Sequence, residues 1–553
     1  MTLNTSDELV FLPLGGSGEI GMNLNLYGYR GKWLMVDCGV TFGDDSTPGV
    51  EVMMADPAFI AERRKDLVGI VLTHGHEDHL GAVHWLWHKL RCPVYATPFT
   101  ATLLRGKLHE GNLVGQVDVH EIPLGGRVKI GPFDVELISQ THSIPEPNSL
   151  AIRTALGTVI HTGDWKFDPQ PLIGDVADYA KMQRIGDEGV LALVGDSTNV
   201  FTNGASGSEA DVRKSLTRLF GQYSGKLAVA CFATNLARVE SIAVAAAENG
   251  RDVALVGRSL WRIEEAARKN GYLKGIPPFL NEHDAGYLPE DKVAYICTGS
   301  QGEPRAALAR IASDQHPHVT LGSGDVVIFS SRIIPGNEKS IFKLQNVLSR
   351  QGVEVVTEKD HFVHVSGHPG RDDMTKMYSL LRPAIAVPVH GENRHQLEHA
   401  ALARACDVQH TLVIENGDMV KLAPGEPEVV DHVVTGRLAV DGNRLVRMDS
   451  EIMRSRHRMV HNGSAVVTIV LDKTGKLLGD PQVTALGLLH AEYEAEEHDA
   501  VVEAVRAAIL ELGNSKRGDD EVVREAARLA VRRHLKSSHG KKPLTDVHLV
   551  RLK

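Results

Sequence analysis

The chain has 553 residues, 42% of them hydrophobic, and a formal net charge of −10. That length exceeds what one hydrophobic core serves and predicts about three domains. The acidic balance argues against a protein that coats nucleic acid through a basic surface, but not against a nuclease whose bound cations and local basic groove hold a phosphate chain.

No apolar stretch is long enough to span a membrane, and the start, residues 1–9, is polar and acidic without the pattern of a signal peptide. A cytoplasmic protein with no membrane partner is therefore expected. Five scattered cysteines, Cys38, Cys92, Cys231, Cys297 and Cys406, never form C-x-x-C, which argues against a disulfide framework or a zinc ribbon.

Up to about Val200, short β runs at 9–14, 24–29, 33–36, 68–72, 135–138 and 158–161 are interspersed with helical periods. This is the pattern of an α/β sandwich with His and Asp residues on the loops of one edge. The run Gly16-Ser17-Gly18-Glu19-Ile20-Gly21 satisfies G-x-G-x-x-G, yet residues 22–29 alternate like a second strand. A dinucleotide site needs a helix N-terminus there, so that reading is rejected, and the glycines are expected to let a tight hairpin approach the loop edge.

From about Asn203 helices at 209–223, 236–249 and 260–269 alternate with strands at 226–232 and 252–256, and strands at 293–298, 325–330 and 354–357 follow. This βαβ spacing implies a mostly parallel sheet. The apolar strand 384–391 reads as a return to the first domain, and the stretch from Gly425 to about His461 as a linker. Strands at 465–471 and 546–552 around amphipathic helices at 498–512 and 520–535 make a small C-terminal α+β unit. The expected domains are 1–202, an inserted 203–360, a return at 361–448 with the linker, and 449–553.

The densest chemistry lies in T-H-G-H-E-D-H, residues 73–79, directly after the apolar stretch 67–72. It places His74, His76, Asp78 and His79 on one turn at a strand end, a mixture of imidazole and carboxylate that suits borderline divalent ions such as zinc. His142, Asp164 and His390 each follow a strand as well. Singly, such a residue is more often a cap or turn residue. Together they complete two ligand sets: His74, His76 and His142 on one ion, Asp78, His79 and His390 on the other, and Asp164 between, one oxygen to each. Two ions ~3.5–4 Å apart would activate a water for in-line attack on phosphorus, with no protein nucleophile. Zinc is the expected metal and manganese the alternative. Asp37, after the strand 33–36, would support the metal turn from behind or help orient the water; a plain strand-end cap is equally open.

The metal turn with His142, Asp164 and Asp37 resembles the metallo-β-lactamase superfamily, and the inserted α/β segment resembles its β-CASP group. More narrowly, G-G-S-G-E-I-G-M-N (15–23), T-H-G-H-E-D-H-L-G (73–81), G-D-S-T-N (195–199), T-G-S-Q-G-E-P (298–304), I-P-G-N-E (334–338), H-V-S-G-H (364–368) and P-V-H-G-E-N-R-H (388–395) resemble the bacterial ribonuclease J family.

The resemblance implies an αββα sandwich interrupted by a β-CASP domain with a parallel sheet and followed by a small C-terminal α+β domain. It implies a ribonuclease that degrades RNA 5′ to 3′, favours a 5′-monophosphate end and also cuts internally, in ribosomal RNA maturation and messenger RNA decay. Asp78, Asp164 and His368 would serve catalysis, with Asp37 and Asp196 beside them. Asp196, His368 and His390 match the three β-CASP motifs. His364, Val365, Ser366, Gly367 and His368 would contact the substrate phosphate, and Ala233, Thr234 and Asn235 resemble a second substrate-contacting strand end. Physically, the Ser366 hydroxyl and Gly367 N–H suit an anion, and His368 suits protonation of the leaving 3′ oxygen. Pro369 departs from the pattern and is expected to stiffen the loop. Residues 332–343, with Arg305 and Arg310, either line an RNA channel or are solvated charges. A homodimer or homotetramer is implied, and the C-terminal unit, with its alternating strand 465–471, offers a sheet edge or helix face through which subunits could pair. A β-CASP DNA nuclease and a non-catalytic RNA-binding scaffold are the alternatives; every ligand position is filled, which disfavours the scaffold.

Overall fold

The computed structural model describes residues 7–44, 46–490 and 494–552. The chain forms two compact units, one running to Thr41 and resuming over Met54–Thr435, the other taking Phe42–Met53 and the chain from Gly436. Among the described residues no helix is long and apolar enough to cross a membrane.

The first unit contains a sandwich. One sheet has eight strands in the order Glu428–His432, Asp418–Ala423, Leu9–Gly15, Leu24–Tyr29, Lys32–Val36, Leu67–Val71, Val94–Ala96, Val119–Glu121. The other has seven, in the order Arg127–Ile130, Phe133–Ser139, Asn148–Thr154, Gly157–His161, Ala192–Asp196, Ile385–Val389, His410–Thr411. Phe11, Tyr27, Leu34 and Val71 from the first meet Val135, Leu150, Val159 and Val387 from the second in one buried cluster. Helices Tyr179–Glu188, Arg371–Leu381 and Asn393–Ala405 cover the outer face of the second sheet through Met182, Met377 and Ala403. Strands buried on both faces carry continuous apolar runs, as in the fully buried Leu9–Gly15.

Strand direction gathers the His and Asp residues. Gly157–His161, Ala192–Asp196 and Ile385–Val389 are parallel neighbours, with Asp196 paired to Val389. Their C-terminal ends therefore deliver Asp164, Asp196 and His390 to one edge. Phe133–Ser139 lies two antiparallel steps from Gly157–His161 and so delivers His142 to the same edge. In the facing sheet Lys32–Val36 runs parallel to Leu67–Val71, bringing Asp37 beside the turn that begins at Thr73.

Between these strands the chain inserts a six-stranded sheet, ordered Leu280–Asn281, Asp252–Val256, Val293–Cys297, Leu227–Ala230, Val326–Phe329, Glu354–Val356, with every neighbouring pair parallel. Helices Glu209–Phe220, Leu236–Glu248 and Arg258–Lys269 pack on one face, and Ala307–Ala312 and Glu338–Arg350 on the other. The five longer strands and the three helices of the first face lie within a few residues of their expected bounds, whereas strand Leu280–Asn281 and helices Ala307–Ala312 and Glu338–Arg350 have no counterpart among the expected elements. The glycine run at 16–21 leads into Leu24–Tyr29, antiparallel to Leu9–Gly15, and no helix intervenes.

In the second unit Ser464–Asp472 is the middle strand, parallel to Leu544–Leu552 and antiparallel to Gln482–Thr484. Its alternate residues Ala465, Val467, Ile469 and Leu471 pack on Val501, Val505 and Ile509 of helix Ala495–Leu510 and on Val523, Ala527 and Val531 of helix Asp520–His539. The spacing of four along each helix makes this apolar stripe.

The expected linker is corrected. Residues 425–461 hold strand Glu428–His432, a hairpin of Arg437–Asp441 with Arg444–Arg447, and most of helix Glu451–Asn462. The helix buries only Met453, and its apolar residues Ile452, Met459 and Val460 remain exposed.

Candidate metal centre

Seven side chains meet at the shared strand edge. His74 Nε2 and His142 Nε2 each lie 3.0 Å from His76 Nδ1, and they stand 3.9 and 3.7 Å from Asp164 Oδ2. On the other side His79 Nε2 and His390 Nε2 lie 3.2 and 3.3 Å from Asp164 Oδ1, and 3.5 and 3.7 Å from Asp78 Oδ2. The ligand atoms thus form two groups, His74–His76–His142–Asp164 and Asp78–His79–Asp164–His390. Each group takes a different oxygen of Asp164.

The donors fit divalent cations. Asp164 Oδ1 is buried and accepts no hydrogen bond among the described residues. Burial, and then the neighbouring imidazoles, hold His74 far below its ordinary pKa, and burial brings His76 down to about 4, so both imidazoles are neutral at pH 7 and have a lone pair that could serve a metal ion. Burial works against the charge on Asp164, but the imidazoles of His390, His79 and His368 outweigh it and keep the carboxylate ionised.

The surrounding residues hold these ligands in place. Asp37, fully buried, accepts the Nδ1–H of His79 at 2.7 Å, the Thr73 N–H at 2.8 Å and the Thr73 hydroxyl at 2.9 Å. It thereby leaves Nε2 of His79 as the nitrogen facing the cluster and anchors the 73–79 turn, as the support for a ligand histidine would. Asp37 and His390 have φ of 62° and 50°, in the left-handed region that non-glycine residues occupy at a cost of order ~1–2 kcal/mol. His142 donates from Nδ1 to Gly367 O at 2.5 Å, which ties the first group to the 364–368 loop.

In that loop His368 donates from Nδ1 to Asp196 Oδ2 at 2.8 Å. Burial alone would depress its pKa, but the Asp196 and Asp164 carboxylates push it up to about 9. Asp164, Asp196, His368 and His390 make a third convergence of ligand atoms. The Ser366 hydroxyl oxygen accepts from Asn199 Nδ2 at 2.6 Å and from the His368 N–H at 3.1 Å. His364 is half-buried, and burial followed by the nearby Arg238 charge holds its pKa well below the usual value. The Val365 side chain belongs to the hydrophobic core. Ala233, Thr234 and Asn235 form the turn into helix Leu236–Glu248, where Asn235 is occupied as the cap, accepting from Arg238 N at 3.0 Å. Arg305, Arg310 and Arg332 are exposed on the inserted domain.

Sequence reasoning assigned no role to several contributors. Asn23 Nδ2 sits 3.2 Å from both His79 Nε2 and His390 Nδ1; its place in the 15–23 motif was the available signal. Arg238 and Glu209 form a fully buried ion pair at 3.0 Å, and Arg238 Nη1 also donates to Ser330 O and Val363 O, steadying the approach to the 364–368 loop. Nothing in the sequence separates these two from surface charges on amphipathic helices.

An αββα sandwich with such a strand-edge His/Asp cluster and an inserted parallel α/β domain defines a metallo-β-lactamase-type protein of the β-CASP group. Family models match along the chain: Metallo-beta-lactamase superfamily at 23–221, Ribonuclease J, beta-CASP domain at 224–348, Zn-dependent metallo-hydrolase RNA specificity domain at 352–413, and Ribonuclease J C-terminal domain at 451–552. Ribonuclease J of Sinorhizobium meliloti is 44% identical over 551 residues, covering 99% of this chain and 98% of that one. Ribonuclease J of Mycobacterium tuberculosis is 38% identical over 516 residues (92% and 90%), and Ribonuclease J2 of Bacillus subtilis 32% identical over 551 residues (98% and 99%). The chain belongs to the ribonuclease J family. A crystal structure of an Enterococcus faecalis protein of unknown function shares the fold, with TM-score 0.52 and 15% identity over 75% of this chain and 100% of that one.

Proposed function

We propose that the chain is a two-metal ribonuclease that hydrolyses RNA from the 5′ end, favours a 5′-monophosphate and also cuts internally, in RNA maturation and decay. The observation that carries this reading is Asp164, a buried carboxylate that turns one oxygen to each of two histidine groups. His74, His76 and His142 would hold one ion, and Asp78, His79 and His390 the other, with zinc expected and manganese the alternative. When bound, such a pair neutralises phosphate charge and activates the attacking water. Asp37 keeps His79 oriented, and Asp196, by taking the Nδ1–H of His368, leaves Nε2 of that residue to protonate the leaving 3′ oxygen. The Ser366 hydroxyl and Gly367 N–H would receive a substrate phosphate.

RNA rather than DNA as substrate rests on the kinship with ribonucleases and on the RNA specificity match. The β-CASP insertion, expected over 203–360, would wall a cleft for a long polymer. Assembly as a dimer or tetramer through residues 449–553, in the cytoplasm, completes the reading. Sedimentation of a chain cut after Asp449 tests the assembly, and an unchanged oligomeric state would sink it.

The test of activity is digestion of one RNA carrying a 5′-monophosphate, 5′-triphosphate or 5′-hydroxyl, by wild type and His76→Ala, with zinc or manganese. Rapid mononucleotide release from the monophosphate form alone, lost in His76→Ala, is expected. Cleavage of DNA only, or of nothing, would overturn the reading.

A further inference from the structure

Beside the metal centre stand three side chains to which none of the chemistry above gives a task. Phe201 keeps 46% of its surface exposed, although the turn that carries it is firmly held. Val200 N–H donates to Ser197 O at 3.2 Å, Thr202 N–H to Asn199 O at 2.8 Å, and Arg371 Nη1 to Val200 O at 3.2 Å. The backbone that carries the outward ring is thus held by hydrogen bonds on both sides of Phe201. The Arg394 guanidinium lies over it, 4.7 Å from the ring centroid, and His395 meets its edge at 5.3 Å and an interplanar angle of 62°. Arg394 is exposed and makes no ion pair among the described residues.

This cluster adjoins the reaction centre. Gly391, next to the ligand candidate His390, has no room for a side chain, because a Cβ there would lie 2.9 Å from the Cβ atoms of both His395 and Ser197. Thr198 Oγ1 lies 2.7 Å from Asp196 Oδ1 and 3.1 Å from His390 O. His395, which meets the edge of the Phe201 ring, thus packs against the residue next to His390. A lone exposed phenylalanine is ordinary. An aromatic ring with an exposed arginine over it, on a rigid turn this close to a phosphodiester-cleaving centre, has the composition of a platform for single-stranded nucleic acid, since every base offers a π-face and the guanidinium serves the backbone phosphate.

We propose that Phe201, Arg394 and His395 form a nucleobase subsite: the base of a nucleotide adjoining the scissile phosphate stacks on Phe201, Arg394 meets the chain's phosphate, and His395 braces the ring. The inference rests on the reading of the substrate as RNA.

The test combines Phe201→Ala, Phe201→Leu and Phe201→Trp with a set of RNAs carrying a single abasic nucleotide at successive positions. Phe201→Ala and Phe201→Leu are expected to lower kcat/KM tenfold to a hundredfold through KM, the effect of losing one base–aromatic stack, and Phe201→Trp to restore it. One abasic position should lower wild type by a similar factor and leave Phe201→Ala no worse. Equal kcat/KM for wild type and Phe201→Ala, or an abasic effect that adds to the mutation at every position, would overturn the subsite. RNA affinity is read in parallel by fluorescence anisotropy in the Asp164→Asn background, where Phe201→Ala should weaken binding by the same factor. A protein that cleaves no RNA but loses binding on Phe201→Ala would refute the hydrolytic reading while leaving the subsite standing; unchanged binding would refute the subsite alone.

Discussion

Gly367→Ala tests how the 364–368 loop is locked to the first histidine group. A Cβ on Gly367 would lie 2.7 Å from both Cε1 and Nδ1 of His142 and 3.2 Å from Ser143 Oγ. Ordinary carbon contacts begin near 3.5 Å, so the imidazole or the loop must yield by roughly 0.8 Å. Either movement disturbs the Nδ1–H bond from His142 to Gly367 O, now 2.5 Å, and turns His142 Nε2 away from His76 and Asp164. Overpacking of this kind destabilises by about 1–3 kcal/mol, and a displacement near 1 Å at a reacting centre lowers rates by roughly a hundredfold. The assay is kcat/KM on a 5′-monophosphate RNA, with metal content measured on the same sample. Gly106→Ala is the control: it lies in helix Pro98–Glu110 with nothing near a Cβ, and it should leave activity intact while adding up to about 1 kcal/mol of stability. Full activity and metal content in Gly367→Ala would refute the argument that this glycine is required by His142.

Asp37→Ala removes the acceptor that orients His79 and should weaken metal affinity about 10–100-fold, read by chelator competition; unchanged affinity would make Asp37 a simple cap. Arg238→Met leaves Glu209 buried without its partner and should cost about 3–5 kcal/mol in denaturant unfolding, much of it recovered when Glu209→Leu is added. His399, buried between the Ser197 and Tyr378 hydroxyls at 2.9 Å each, has its pKa brought down to about 4 by burial. The unfolded chain, with an ordinary histidine pKa near 6.5, binds this proton first, so stability falls as pH drops from about 6.5 to about 4, by roughly 2 kcal/mol at pH 5. His399→Gln should flatten that part of the unfolding-versus-pH curve, and an unchanged slope would contradict it.

What the sequence reveals here follows from how locally each feature is encoded. His74, His142, Asp164 and His390 can be picked out because each ends an apolar run, and the parallel sheet announces itself in its alternating strands and amphipathic helices. The hairpin of Arg437–Asp441 with Arg444–Arg447 escapes because its strands are short, and the helix Glu451–Asn462 because its few apolar residues are diluted by charged and polar ones. The membership of Phe42–Met53 in the second unit depends on Val50 and Met53 packing with Ala439, Val446 and Met453, far away in the chain, which no local pattern encodes. Asn23 and the Arg238–Glu209 pair matter only through partners that the fold supplies. Asn235 lies in a motif yet spends its side chain on a helix cap.

The central claim is that Asp164 is shared between two metal ions. The most direct test is the metal-to-protein ratio, by elemental analysis after dialysis, of wild type and Asp164→Asn, with folding checked by circular dichroism. Two ions per chain in wild type and fewer than one in a folded Asp164→Asn are predicted. A wild-type ratio of one, or an Asp164→Asn variant that keeps both ions, would contradict the account.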